Sequence, residues 1–311
     1  MKVGFLGLGA MGVGMAGCIV KKHSLRVFNR SPGKAADLVA RGADLATSIA
    51  ELGDCDVVCS MLSDDAAVEA VFLNRAGGNL PIRKGAAHLS HSTISPGMTA
   101  RLASAHARQD IEFLSAPVLG RPDRAASGTL VGILAGPEAV VAACRPVIDA
   151  YASKSYWVGA EARMGAIAKI GVNFLVAAAL ESLAEGFALI RKAGIDAEVF
   201  LSLITETIFD AQVHRAYGPL VARELNQAPG FKTALGLKDV GLARSEAERL
   251  GAELPMAALV ADRLSQAIAA GYGDEDWSSL ARLAARRVGL SPPPTGADSD
   301  AKTRKHAERS T

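Results

Sequence analysis

The chain has 311 residues, 50% of them hydrophobic, and 34 Lys and Arg against 32 Asp and Glu give a formal net charge of +2. This is enough apolar material for two domains of ordinary size. The scattered, nearly cancelling charges leave no basic stripe for a nucleic-acid backbone or an anionic membrane, so a small-molecule partner is expected. Cys18, Cys55, Cys59 and Cys144 form neither a C-x-x-C pair nor a His-accompanied pattern, so they read as reduced core thiols and no metal site is predicted. The N-terminus opens directly on MKVGFLGLG, without the charged region, apolar core and cleavage site of a signal peptide. No run reaches the ~18 apolar residues of a membrane span, and a cytoplasmic protein is expected.

In chain order, KVGFLGLG (2–9), LRVFNR (25–30), DVVCSML (56–62), AAHLSHST (86–93), IEFLSAPV (111–118) and LVGILAG (130–136) read as strands, with helical patterns between them. Near-continuous apolar strands suit a parallel sheet covered on both faces, a doubly wound α/β domain. After YWVG the pattern becomes one long helix from about Gly165 to Lys192, stopping before Gly194, and it stays helical to about residue 289. The predicted organisation is an α/β domain over 1–163 and an all-α domain over 164–290, joined by the long helix. The polar, proline-led tail 291–311 is predicted to be disordered.

Gly7, Gly9 and Gly12 make G-x-G-x-x-G with Leu8, Ala10 and Met11 between them, and a fourth glycine follows at 14. The motif stands between a strand and an apolar helix, where glycines permit a tight turn and bring a pyrophosphate onto the helix N-terminus. The second strand is predicted to end at Phe28, where a dinucleotide's adenosine ribose would lie. In place of the acidic residue expected there for NAD stand Asn29, Arg30, Ser31 and, further on, Lys34. A guanidinium pairs with a 2′-phosphate and stacks on adenine, so NADP, with NADPH preferred over NADH, is predicted. Met61 and Leu62 end another strand, as do Ser92 and Thr93. Ligands of open α/β sheets bind outside such ends. Ser92 and Thr93 read equally as neighbours of the nicotinamide and as an N-cap.

The segments GFLGLGAMGVGMAG, NRS, SML, STISP, APVLG, AKIGVN and LKDVGLA occur in the order found in the β-hydroxyacid dehydrogenases, and the chain resembles that family over about residues 2–285. The resemblance implies a Rossmann domain, a helical C-terminal domain, hydride transfer with NAD(P), and a homodimer or tetramer formed through the helical domain. It implies Lys169 as the catalytic lysine with Asn173 beside it, Lys238 (paired with Asp239) toward the cofactor, and Phe231 over the substrate. Positions i and i+4 share a helix face, which sets Lys169 and Asn173 together independently. The lysine would give a proton to a carbonyl oxygen as hydride reaches the carbon, or take it back in the oxidative direction.

The resemblance weakens at one loop. Hydroxyacid-specific relatives carry approximately D-A-P-V-S-G-G there, and this chain has Ser115, Ala116, Pro117, Val118, Leu119, Gly120 and Arg121. Leu119 cannot donate a hydrogen bond to a carboxylate. Either the Gly120 amide and the Arg121 cation take over, or the substrate lacks that carboxylate and is an apolar aldehyde, ketone or imine. The leading reading is an NADP-dependent reductase of a small carbonyl compound, with Ser92, Leu119, Gly120, Arg121 and Phe231 around the substrate. An imine reductase with an apolar pocket is the alternative, opposed by Lys169. A cofactor-binding protein without turnover is the third.

Overall fold

The computed structural model describes residues 1–74, 80–225 and 228–291. The predicted tail lies outside the described residues, apart from Ser291. In chain order the elements are β1 (Lys2–Leu6), α1 (Ala10–Ile19), β2 (Ser24–Phe28), α2 (Ala36–Ala40), β3 (Asp44–Leu45), β4 (Val57–Ser60), α3 (Asp65–Phe72), β5 (Ala87–Ser90), α4 (Pro96–Ala107) and β6 (Glu112–Ser115). There follow β7 (Val118–Leu119), α5 (Pro122–Ser127), β8 (Leu130–Ala135), α6 (Glu138–Tyr151) and β9 (Ala152–Gly159). Helices complete the chain: α7 (Arg163–Lys192), α8 (Ala197–Thr205), α9 (Gln212–Ala222), α10 (Thr233–Leu250), α11 (Pro255–Ala267) and α12 (Leu280–Arg287).

The strands form one sheet in the order β3-β2-β1-β4-β5-β6-β8-β7, with β9 on β8. From β3 to β6 all pairs are parallel, and the register Ser60↔Ser90↔Ser115 brings the carboxyl ends of β4, β5 and β6 level. This is the doubly wound Rossmann arrangement, with its switch point between β1 and β4. Alternation along the buried strands explains the two helical layers. Val57, Cys59, Ala87 and Leu89 join a core with Met15 and Ile19 of α1 and Val141 and Ile148 of α6. Val58 faces the other way, into a core with Val68 and Phe72 of α3 and Met98 and Leu102 of α4. All four cysteines are free and buried.

The layer under α3 and α4 also buries a polar chain. Ser60 Oγ donates to His88 Nε2 at 2.8 Å, His88 Nδ1 donates to His106 Nε2 at 2.8 Å, and His106 Nδ1 donates to the Leu102 carbonyl at 2.7 Å. Beside Phe5 and Tyr151, His91 Nδ1 donates to the Ala116 carbonyl at 2.7 Å.

Beyond β6 the sheet departs from the parallel pattern read from the sequence. The sixth predicted strand, β8, runs antiparallel to β6 and β7. A return through the six-residue α5 is too short for the crossover that parallel pairing needs. Two edge strands were not predicted. β3 is only two residues, both exposed, and β9 is polar over Ser153, Lys154 and Ser155, with its short apolar run Tyr156, Trp157 and Val158 exposed, so neither reads as a buried apolar strand.

The contacts divide the chain into two compact units, Met1–Val172 with Leu242–Glu253, and Asn173–Gly241 with the chain from Leu254 on. The division falls inside α7 rather than at its start. In the second unit Ala177, Leu180, Leu183, Ala184 and Phe187 of α7 are buried with Val260 and Leu264 of α11 and Leu280 of α12. Among the described residues α7 is the one helix long and apolar enough to cross a membrane, although no continuous apolar run was read from the sequence. Here 44% of that apolar stretch is buried, part of it in the helical core.

Candidate active site

In the first unit the glycine motif turns the chain from β1 into α1. Gly7 has φ +96°, and a Cβ there would stand 2.2 Å from the Met61 carbonyl oxygen; at Gly12 it would stand 2.0 Å from the Gly7 carbonyl oxygen. No side chain fits at either position, which holds the ends of β1 and β4 and the start of α1 in close contact. At Gly9, the N-cap of α1, a side chain would meet no protein atom within 4 Å and would project into open space before the helix. No side chain caps α1, and its first turn holds no acidic residue. Uncapped amides at the positive end of a helix facing open space are what a pyrophosphate requires, so these residues fit a dinucleotide.

The flanking residues divide between bracing and exposure. Asn29 Oδ1 accepts the Leu8 amide at 2.9 Å and Asn29 Nδ2 donates to the Ser31 carbonyl at 2.9 Å, so this side chain ties the end of β2 to the glycine turn. Arg30, Ser31 and Lys34 are exposed beside it. At the ends of β4 and β5, the Leu62 amide donates to Ser92 Oγ at 2.8 Å, and the Asp65 carboxylate accepts both the amide and the hydroxyl of Ser95. The cap of α4 is therefore Ser95, which also accepts the Met98 amide at 3.0 Å, and not Ser92 or Thr93. Ser92 is buried and braces Leu62; Met61, Leu62 and Thr93 are partly exposed.

The segment 115–130 forms a structured turn. Val118 and Leu119 pair with β8, Gly120 has φ +135°, and Arg121 is the N-cap of α5 with Pro122 as its first residue. Gly128 ends α5 in the left-handed conformation, and Arg124 Nε donates to the Thr129 carbonyl at 3.1 Å. Leu119 and Arg121 are partly buried and Gly120 is exposed.

Lys169 and Asn173 stand one turn apart on α7. In the second unit Asn173 is 6% exposed and its Nδ2 donates to Asp239 Oδ2, while Lys238 Nζ lies 3.0 Å from Asp239 Oδ1. Asp239 is wholly buried, and a carboxylate taken out of water needs such partners. Its place is to fix the Asn173 amide. Phe231 packs at 4.6 Å on Trp277, and the Gly230 and Phe231 amides donate to Asp276. The bracing groups Asp65, Ser95 and Asp276 were not singled out from the sequence, since their partners lie about 30 or 45 residues away and an isolated Asp or Ser carries no such signal.

Residues 2–159 match the family model described as the NAD binding domain of 6-phosphogluconate dehydrogenase. Residues 164–284 match the NAD-binding domain of NADP-dependent 3-hydroxyisobutyrate dehydrogenase. The chain belongs to the β-hydroxyacid dehydrogenase family. An uncharacterised oxidoreductase of Bacillus subtilis, YfjR, is 38% identical to this dehydrogenase over 90% of the chain and 98% of that protein. Glyoxylate/succinic semialdehyde reductase 1 of Arabidopsis thaliana is 28% identical over 90% of the chain and 97% of that protein. The crystal structure of 3-hydroxyisobutyrate dehydrogenase from Salmonella typhimurium superposes with a TM-score of 0.82 at 29% identity, covering 91% of this chain and 99% of that one. The dehydrogenase is thus an NAD(P)-dependent oxidoreductase.

Proposed function

We propose that the chain is an NADP-dependent reductase of small carbonyl compounds, with Lys169 as the proton donor and Asn173 holding the carbonyl oxygen. The observation that carries this reading is the locked amide of Asn173, held by buried Asp239 one turn along α7 from the lysine. A positioned amide beside an ammonium suits a carbonyl oxygen that gains negative charge. When bound, the reduced nicotinamide supplies a hydride to the carbonyl carbon. The Lys169 ammonium gives its proton to the oxygen, the product is the alcohol, and the amine is reprotonated from solvent. In the oxidative direction the neutral lysine takes the hydroxyl proton.

Exposed Arg30, without an acidic neighbour at the end of β2, supports NADP over NAD. Leu119 supports a substrate not gripped by a serine at that position, an uncharged aldehyde or ketone before a small hydroxyacid. The same residue is what favours imine reduction as a second reading, and Lys169 opposes it. Self-association through the helical unit is supported by Leu175 and Leu189 of α7 and Val199 and Leu203 of α8, which are 64%, 68%, 63% and 59% exposed. Four free, buried cysteines suit a reducing, cytoplasmic setting.

The test follows NADPH and NADH oxidation against glyoxylate, succinic semialdehyde, an uncharged aldehyde and a cyclic imine, with Lys169→Ala alongside. The wild type is expected to consume NADPH with a carbonyl compound, and Lys169→Ala to lose roughly 100-fold or more in kcat while still binding NADPH. Full carbonyl reduction by Lys169→Ala, or turnover of the imine alone, would overturn the reading.

A further inference from the structure

The fourth glycine of the opening motif, Gly14, belongs to the second turn of α1, and Cys18 stands one turn beyond it on the same face. Both meet α5. A Cβ on Gly14 would lie 2.7 Å from the Ala126 nitrogen, 2.9 Å from the Ala125 carbonyl carbon and 3.0 Å from Ala125 Cβ. These are mostly backbone atoms, so a larger residue at 14 must push α5 away as a body. The Cys18 thiol lies 3.4 Å from the carbonyl oxygens of both Ala125 and Ala126. Those carbonyls belong to the last turn of α5, where a helix offers no further i+4 amide; that of Ala125 also accepts the Gly128 amide at 3.4 Å. Ala125 is wholly buried in this seat, and a Cβ on Gly128 would come within 3.4 Å of the same sulfur.

A helix of six residues spans only ~9 Å, so fixing its last turn fixes its first. That first turn follows Leu119, Gly120 and Arg121. Meanwhile α1 begins at a glycine with no capping side chain, so no side chain fixes its first amides, and an anion placed before them would exchange their water for charged partners. Gly14 comes one turn later. The seat of α5 is therefore as firm as the first two turns of α1.

We propose that Gly14 and Cys18 are positioning residues that key residues 118–130 onto the dinucleotide helix, so that cofactor bound at the glycine turn orders this loop before the carbonyl substrate arrives. The proposal rests on the reading of 118–130 as the substrate loop. Its physical content is a coupling between two sites through one packed contact, with order as the quantity transmitted.

Hydrogen exchange of the full chain, with and without saturating NADPH or NADH, tests it without any turnover. In the wild type, nucleotide is expected to slow amide exchange across 118–130 by roughly 5-fold or more, together with 7–13. In Gly14→Ala the slowing at 7–13 persists and that at 118–130 is lost. Cys18→Ala, which removes the thiol without adding bulk, gives the same pattern more weakly and serves if Gly14→Ala does not fold, whereas Cys18→Ser retains the coupling. Exchange at 118–130 that ignores nucleotide in the wild type, or responds equally in both Ala variants, overturns the proposal. Where a carbonyl substrate is turned over, the variants raise its KM by roughly 10-fold at little-changed kcat; a fall in kcat at constant KM counts against the proposal. A wild type that reduces no carbonyl compound would remove the proposed activity and leave the exchange result to decide the coupling.

Discussion

Arg30 and Asn29 are adjacent, yet they do different work. The Asn29 side chain is spent on the Leu8 amide and the Ser31 carbonyl, while the Arg30 side chain stands in solvent at the end of β2. A charge-assisted bond of about 1.5–3 kcal/mol to a 2′-phosphate corresponds to roughly a 10- to 100-fold change in affinity. Arg30→Ala is accordingly expected to weaken NADPH binding by that factor and leave NADH binding unchanged, as read by titration of nucleotide fluorescence. Equal wild-type affinity for the two nucleotides would remove the role. Arg30 was legible because its charge and its distance from the glycine motif suffice to place it. The bracing role of Asn29 was not, because its partner Leu8 lies 21 residues earlier and meets it only when β1 and β2 pair. Asp239 divides the same way: the resemblance marked it, but its hold on Asn173, 66 residues distant, needed the folded helices.

At the scale of elements the loop between β6 and β8 carries the departure from the hydroxyacid pattern. Its backbone follows from proline and glycine chemistry, with Pro122 opening α5 and Gly128 closing it at φ +71°. Its chemistry follows from Leu119. Leu119→Ser restores a donor, and it is expected to raise kcat/KM for glyoxylate or succinic semialdehyde by roughly 10-fold relative to an uncharged aldehyde. An unchanged ratio in steady-state kinetics would show that residue 119 does not face the substrate's carboxylate. The strands that position the glycine turn were legible from buried apolar runs, and so was α7 from its length and its stop before Gly194. The strand β9 was hidden because its first half, Ser153, Lys154 and Ser155, is polar and its pairing with β8 is what makes it a strand. The direction of β8 was hidden as well, since direction depends on how far the connection before it reaches, and no single residue encodes that.

For the molecule as a whole, the interior sets an acid limit on stability. Burial pushes His91 and His106 down to about 4, and burial with neighbouring His106 drives His88 well below its ordinary value. A histidine with a depressed folded pKa binds fewer protons folded than unfolded. Its share of stability is therefore intact above about pH 6.5 and declines as pH falls toward 4, by up to about 1.4 kcal/mol per pH unit for each ring. Glu181 opposes this trend: burial and the charge of Glu185 raise it to about 7 against the pull of Arg263, so it favours the folded state as pH falls through that value. Three rings outweigh one carboxyl, and the thermal midpoint is expected to fall between pH 6.5 and 4.5. Since Glu181 offsets one of the three rings, His91→Gln, which keeps a donor for Ala116, should make that slope about one half shallower, and an unchanged slope in thermal melts would discard the assignment. The histidines were opaque in the sequence because a polar residue, whether in β5, just after it or on α4, reads as a surface residue until its partners are known. The path of the chain carries a different kind of consequence. It passes from one compact unit to the other at 172/173, 241/242 and 253/254, and the first two passages lie inside α7 and α10. A chimera of two relatives joined at 172/173 or 241/242 would therefore have to build one continuous helix from both parents.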